Sequence, residues 1–129
     1  MSQVKLIIAG TRDFEDYSTL KAVIQDQGLI DEENLIIISG MARGADLLGV
    51  RWAIQYKRPL IRMPADWDKY GRRAGYIRNS EMADVGTHLL ALWDGKSRGT
   101  KNMIDIACDK GLEVCVFDYV KGQYLYESR

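Results

Sequence analysis

Short apolar runs alternate with amphipathic stretches along the chain. Val4–Ala9 reads as a buried strand. Asp16 can cap a helix over residues 17–27, with Leu20, Val23 and Ile24 on one stripe and Gly28 at its end. Leu35–Ser39 reads as a second strand, and a helix over Ala45–Tyr56 places Ala45, Leu48, Trp52, Ala53 and Tyr56 together. Pro59–Met63 is a weaker third strand, residues 64–70 read as irregular, and a helix covers about Arg72–Met82. Leu89–Trp93 is a fourth strand. Thr100 can cap a helix that turns Met103, Ile104 and Ala107 inward before Gly111. Glu113–Asp118 is a fifth strand, and Tyr119–Tyr126 around Gly122 suits a final hairpin. Strands alternating with helices predict a mostly parallel, doubly wound α/β sheet covered on both faces. No linker or repeat divides residues 1–129, so one domain is expected.

Composition narrows the picture. At 129 residues and 47% hydrophobic, the chain can build a packed core. The longest apolar runs, Leu35–Ile38 and Leu89–Trp93, fall far short of the ~20 residues that span a bilayer. Val4–Ala9 is too short for the apolar region of a signal peptide, so no membrane partner and a cytoplasmic location are expected. Cys108 and Cys115 read as small buried hydrophobes of a reducing compartment. His88 is the single histidine and reads as a strand-edge residue, so zinc and Ser-His or Cys-His chemistry find no support.

Lys and Arg (18) balance Asp and Glu (18), which argues against a general nucleic-acid binder. The balance hides local fields. Residues 1–34 carry 3 basic and 7 acidic side chains, whereas residues 43–101 carry 12 and 6. Eight of the ten arginines lie in that middle stretch, an excess suited to a compact anion.

In doubly wound folds ligands lie beyond the carboxyl ends of the strands, where strand order switches. The glycines and arginines collect there: Gly10-Thr11-Arg12 after strand one, Gly40-Met41-Ala42-Arg43-Gly44-Ala45-Asp46 after strand two, and Asp94-Gly95-Lys96-Ser97-Arg98-Gly99-Thr100 after strand four. Such loops bring the backbone close to a ligand and offer helix N–H groups to a phosphate. Gly95-Lys96-Ser97 is no Walker A loop, because Leu90 stands where that motif needs glycine. Asp66 and Asp68 read as solvated carboxylates, not a metal site, and no metal or other cofactor is expected. Arg72, Arg73 and Arg78 read as a charged helix face or, for Arg78 with Asn79 beside it, as a side chain turned inward to a phosphate.

Five segments carry a family resemblance: Gly-Thr-Arg at 10–12, Ser-Gly-Met-Ala-Arg-Gly-Ala-Asp at 39–46, Pro-Ala-Asp-Trp at 64–67, Ala-Gly-Tyr-Ile-Arg-Asn-Ser-Glu-Met at 74–82 and Trp-Asp-Gly-Lys-Ser-Arg-Gly-Thr at 93–100. Together they resemble the YspA/YpsA-related branch of the SLOG superfamily, over nearly the whole chain to about residue 118, a branch of bacteria and phages. The resemblance implies a Rossmann-like five-stranded sheet ordered 3-2-1-4-5, a homo-oligomer (dimer or tetramer), and a site for nucleotide-derived ligands. It also extends to Lonely Guy-type phosphoribohydrolases, whose Arg-Lys-x-x-Met resembles Arg78-Asn79-Ser80-Glu81-Met82. Where those enzymes carry a catalytic glutamate this chain has Met103, whose thioether can neither accept a proton nor steady an oxocarbenium charge.

The leading expectation is therefore a small-molecule nucleotide ligand (AMP, ADP-ribose or a cyclic derivative), held as by a sensor or sequestering protein, with nucleic acid not expected as a partner. Gly10, Thr11, Arg12, Gly40, Arg43, Gly44, Ala45, Asp46, Arg78, Asn79, Asp94, Gly95, Ser97, Gly99 and Thr100 are its candidate residues. Arg12, Arg43 and Arg78 would hold phosphate, and Asp46 or Asp94 would accept from ribose hydroxyls. The alternative is N-glycosidic cleavage of a nucleotide, with Arg78, Glu81 or Asp94 as candidate catalytic groups. A second alternative is single-stranded DNA binding, for which Trp67 and Tyr70 near Arg72 and Arg73 form the candidate patch.

Overall fold

A computed structural model describes residues 3–128 of the chain. β1 (Val4–Gly10), β2 (Leu35–Ser39), β3 (Leu60–Arg62), β4 (His88–Trp93), β5 (Glu113–Asp118) and β6 (Gln123–Glu127) are its strands. Its helices are α1 (Tyr17–Asp26), α2 (Ala45–Gln55), the single turn α3 (Trp67–Tyr70), α4 (Ala74–Val85) and α5 (Arg98–Asp109). Among the described residues the strands form one sheet in the order β3-β2-β1-β4-β5-β6. Every pairing is parallel except β5 with β6, which closes the expected hairpin and adds a sixth strand to the expected five. The switch point lies between β1 and β4, each of which leads into a helix on the opposite side of the sheet.

Both faces of the central strands are buried, which explains their unbroken apolar character. Leu6 and Ile8 of β1 join Leu20, Val23 and Ile24 of α1 and Trp52 and Ala53 of α2 in one core. The alternate residues Ile7 and Ala9 join Met82 and Ala83 of α4 and Met103, Ile104 and Ala107 of α5 in the other. The period-2 alternation of strand side chains sends neighbours in sequence to opposite layers.

Several local expectations shift. The Asp16 carboxylate caps α1 by accepting from the Thr19 N–H, as its position predicts. Residues 66–70 are not irregular: Asp66 Oδ1 accepts from the Lys69 N–H at 3.1 Å and starts α3. A 3-10 turn over Gly71–Arg73 delays α4 to Ala74. Ser97, not Thr100, caps α5, because its Oγ accepts from the Thr100 N–H at 3.3 Å. Cys115 is buried in β5, but Cys108 is exposed on the flank of α5 beside the inward-facing Ala107. His88 opens β4 at the opposite end of the sheet from the switch-point loops, where Nε2 lies 2.9 Å from Glu113 Oε2. Among the described residues no helix is long and apolar enough to cross a membrane.

Candidate functional site

The loops at the carboxyl ends of β1, β2 and β4 meet around a cleft of about 490 Å³. Their shapes follow from short polar side chains that hold backbone. Ser39 Oγ accepts from the Met41 N–H at 3.0 Å and donates to the Asp46 carbonyl at 3.1 Å, folding residues 39–46 back onto the start of α2. Gly44 takes φ +88°, and a Cβ there would stand 2.5 Å from the Thr11 and Arg12 carbonyl oxygens, so the second loop packs directly on the first. The third loop is tied to the first by the Asp94 N–H, which donates to Thr11 Oγ1 at 3.1 Å. Asp94 Oδ1 accepts from the Lys96 and Ser97 N–H groups, both at 2.8 Å, and delivers Ser97 to its capping position. Burial would raise the Asp94 pKa, but these N–H donors outweigh it and hold the carboxyl below its ordinary value.

A second network forms part of the cleft wall. Arg78, half-buried on α4, donates from Nη1 to the Gly40 carbonyl and from Nε to Asn79 Oδ1. Buried Asn79 donates in turn to Asn102 Oδ1 of α5 at 3.0 Å. A Cβ on Gly40 would come within 2.7 Å of Arg78 Nη1 and 2.8 Å of Asp46 Oδ2, so only glycine lets both charged groups close over this loop. Asp46 is 4% exposed, and its Oδ2 accepts from the Ala42 N–H at 3.2 Å. Burial pushes its pKa up to about 6, against the opposing pull of Arg78, the Ala42 and Gly10 backbone and Arg12. Burial also lowers the Arg78 pKa, which the Asp46 charge opposes.

The cleft collects most of the residues singled out in the sequence. Gly10, Thr11, Arg12, Arg43, Asp46, Arg78, Asn79, Asp94, Ser97, Gly99 and Thr100 line it, and Gly40 lines an adjoining cleft of about 370 Å³. Gly44, Ala45 and Gly95 shape the loops without lining either space. Asp46, expected as a ribose acceptor, instead holds loop backbone and faces Arg78. Glu81 is exposed on α4 and lines neither cleft, whereas Met103 is buried in the cleft wall. Tyr70 is also absent from both walls. Trp67, Arg72 and Tyr76 are present, and Trp67 and Tyr76 are 52% and 49% exposed. Tyr76 was not among the sequence candidates, though its place one helical turn before Asn79 was the available signal.

The two clefts share Arg12, Ala42, Arg43, Trp67 and Arg78 and so adjoin along one groove-like stretch of the rim. Arg12, Arg43 and Arg72 reach solvent, and Arg43 Nη2 forms an exposed ion pair with Asp13 at 3.3 Å. The first turn of α5 lines the same space at Gly99 and Thr100. Guanidinium groups and helix N–H groups converging on one groove are suited to phosphate oxygens.

Comparison with known proteins adds a lineage to this geometry. The family model described as the YspA, cpYpsA-related SLOG family matches residues 4–70. The Gene 61 protein of Mycobacterium phage D29 is 31% identical over 119 residues, covering 88% of this chain and 95% of that protein. Among solved structures, DNA processing protein A from Streptococcus pneumoniae superposes with a TM-score of 0.70 at 20% identity, over 89% of this chain. This chain spans 50% of that protein's length. DNA processing protein A from Helicobacter pylori, whose structure is described by its unique single-stranded DNA binding mode, gives a TM-score of 0.65 at 18% identity. That match covers 97% of this chain and 68% of the other. At these identities the likeness shows the fold, a Rossmann-like α/β sheet.

The Helicobacter pylori neighbour, named for a single-stranded DNA binding mode, runs against the expectation of a small nucleotide-type ligand with nucleic acid set aside as a partner. The local excess over residues 43–101 suits a short strand as well as a compact anion, because Arg12, Arg43, Arg72 and Arg78 reach one rim.

Proposed function

The chain belongs to the YspA, cpYpsA-related SLOG family, and we propose that it binds single-stranded DNA along the groove at the carboxyl rim of its sheet. The observation that carries this reading is the shared wall of the two clefts. Arg12, Arg43 and Arg78 stand there beside the exposed Trp67. A nucleic-acid strand presents phosphates and base faces in alternation, and this wall offers a partner for each. The groove continues from the first turn of α5 past Trp67 to Pro64, giving a strand a path through rather than a closed pocket. The single-stranded DNA binding of the Helicobacter pylori neighbour supports the same reading.

Fluorescence anisotropy of a labelled oligothymidylate, titrated with the whole chain at low salt, tests it. Arg12 and Arg43 are the substitutions of choice, since both are exposed, whereas Arg78 also holds the Gly40 loop. Arg12→Ala and Arg43→Ala should each weaken binding by about threefold to tenfold, the range for one solvent-accessible charge-assisted contact. Absence of binding by the unaltered chain, or affinity unmoved by the double substitution, overturns the proposal.

A further inference from the structure

We infer that Trp67 carries the preference of this groove for single strands over duplex, by stacking on an unpaired base, while the neighbouring arginines hold phosphates of either form. The inference rests on the single-strand reading above and assigns its selectivity to one side chain.

Trp67 belongs to both clefts and stands between them. It opens α3, whose backbone is fixed by the Asp66 cap, so a short helical turn sets the ring's place. Its Cη2 edge rests on α4 at Gly75, 3.6 Å from where a Cβ on that residue would stand. With 52% of the residue exposed, the indole keeps much of its surface open beside the groove. A base inside a duplex has both faces covered by its neighbours and cannot reach such a surface without unstacking. An unpaired base can, and every base has a face to offer, so the contact selects for strandedness rather than sequence.

An exposed tryptophan could instead mark a protein–protein contact. Its surroundings favour nucleic acid: four arginines, Arg12, Arg43, Arg72 and Arg78, share its cleft against the three carboxylates Asp13, Asp46 and Asp94, a charged setting with a positive excess that an anionic partner fits and a second apolar surface does not.

The test uses the whole chain, a labelled oligothymidylate of about 15 nucleotides and a duplex of the same length. The unaltered protein should prefer the single strand. Trp67→Ala should weaken single-strand binding about tenfold, leave duplex binding within about twofold and leave the salt dependence unchanged, since stacking releases no counterions. Trp67→Phe, which keeps an aromatic face, should retain most of the preference. Intrinsic fluorescence gives a second readout that needs no alanine variant: Trp52 is buried and Trp93 half-buried, so quenching by oligothymidylate should come from Trp67 and vanish in Trp67→Phe. Equal weakening for both strand forms, or undiminished quenching in Trp67→Phe, overturns the inference. A changed sedimentation profile in Trp67→Ala with unchanged DNA binding also overturns it, in favour of a protein contact. Single-strand binding indifferent to Trp67→Ala sinks this inference alone, whereas binding of neither form by the unaltered chain sinks the functional reading with it.

Discussion

Asp46 shows how a residue type visible in sequence acquires its role from depth. A carboxylate in a Gly/Arg loop suggests a hydroxyl acceptor, but this one is buried in the cleft wall and holds the Ala42 N–H. Its depth leaves a thermodynamic trace. In the unfolded chain the group titrates near 3.8 and in the fold near 6, so between those values the native state binds the extra proton. Stability from this group is therefore fully present below about pH 4, falls as pH rises toward 6, and is level above that. A rise from 3.8 to about 6 corresponds to roughly 3 kcal/mol. Asp46→Asn cannot ionise and should lack that slope. Urea denaturation of both proteins from about pH 4.5 to pH 7.5 checks it, because the cost of the altered hydrogen bond is the same at each pH and drops out of the comparison. Parallel stability profiles would show that the carboxyl titrates normally.

At the level of elements, the chain states its strands more clearly than its helix ends. Val4–Ala9, Leu35–Ser39 and Glu113–Asp118 announce themselves because burial on both faces keeps their central residues apolar and leaves polar side chains only at Lys5 and at the strand ends Ser39, Glu113 and Asp118. Helix starts depend on which side-chain oxygen reaches which N–H, and sequence offers several. Thr100 and Ser97 are both good caps by type, and the Asp94 turn decides for Ser97 by presenting it first. The Asp66 cap of α3 was equally legible in principle, but a single helical turn lacks the apolar periodicity that marks a longer helix. The cap on α5 also borders the cleft, which allows stability and binding to be separated. Ser97→Ala should cost about 1 kcal/mol, read as a lower melting temperature. Ser97→Asp should keep the cap, as aspartate accepts the same N–H, yet place a carboxylate against the proposed path of the DNA. Calorimetry and anisotropy on the two variants should therefore rank them in opposite orders. Matching orders would mean that residue 97 affects DNA only through the fold.

For the molecule as a whole, the informative quantity is where charge is placed. The sum over the chain is zero, and the acidic first 34 residues contribute much of the compensation. The parallel topology gathers the ends of β1, β2 and β4 on one rim, so arginines as distant in sequence as Arg12, Arg43 and Arg78 become neighbours there. The sequence shows that arginines follow strands. Which of them face a common groove depends on strand order, and Trp67 and Tyr76 join them only through the placement of α3 and α4. This arrangement bounds the electrostatics of binding. A single strand that engages three or four guanidinium groups should lose affinity with a log–log salt slope of about −2 to −3, or roughly 20- to 50-fold between 50 and 200 mM salt. Anisotropy titrations across that range measure the slope directly. A slope near zero would mean that the arginines do not touch phosphates. A much steeper slope would require a track of cations longer than this groove, and would move the binding surface away from the rim.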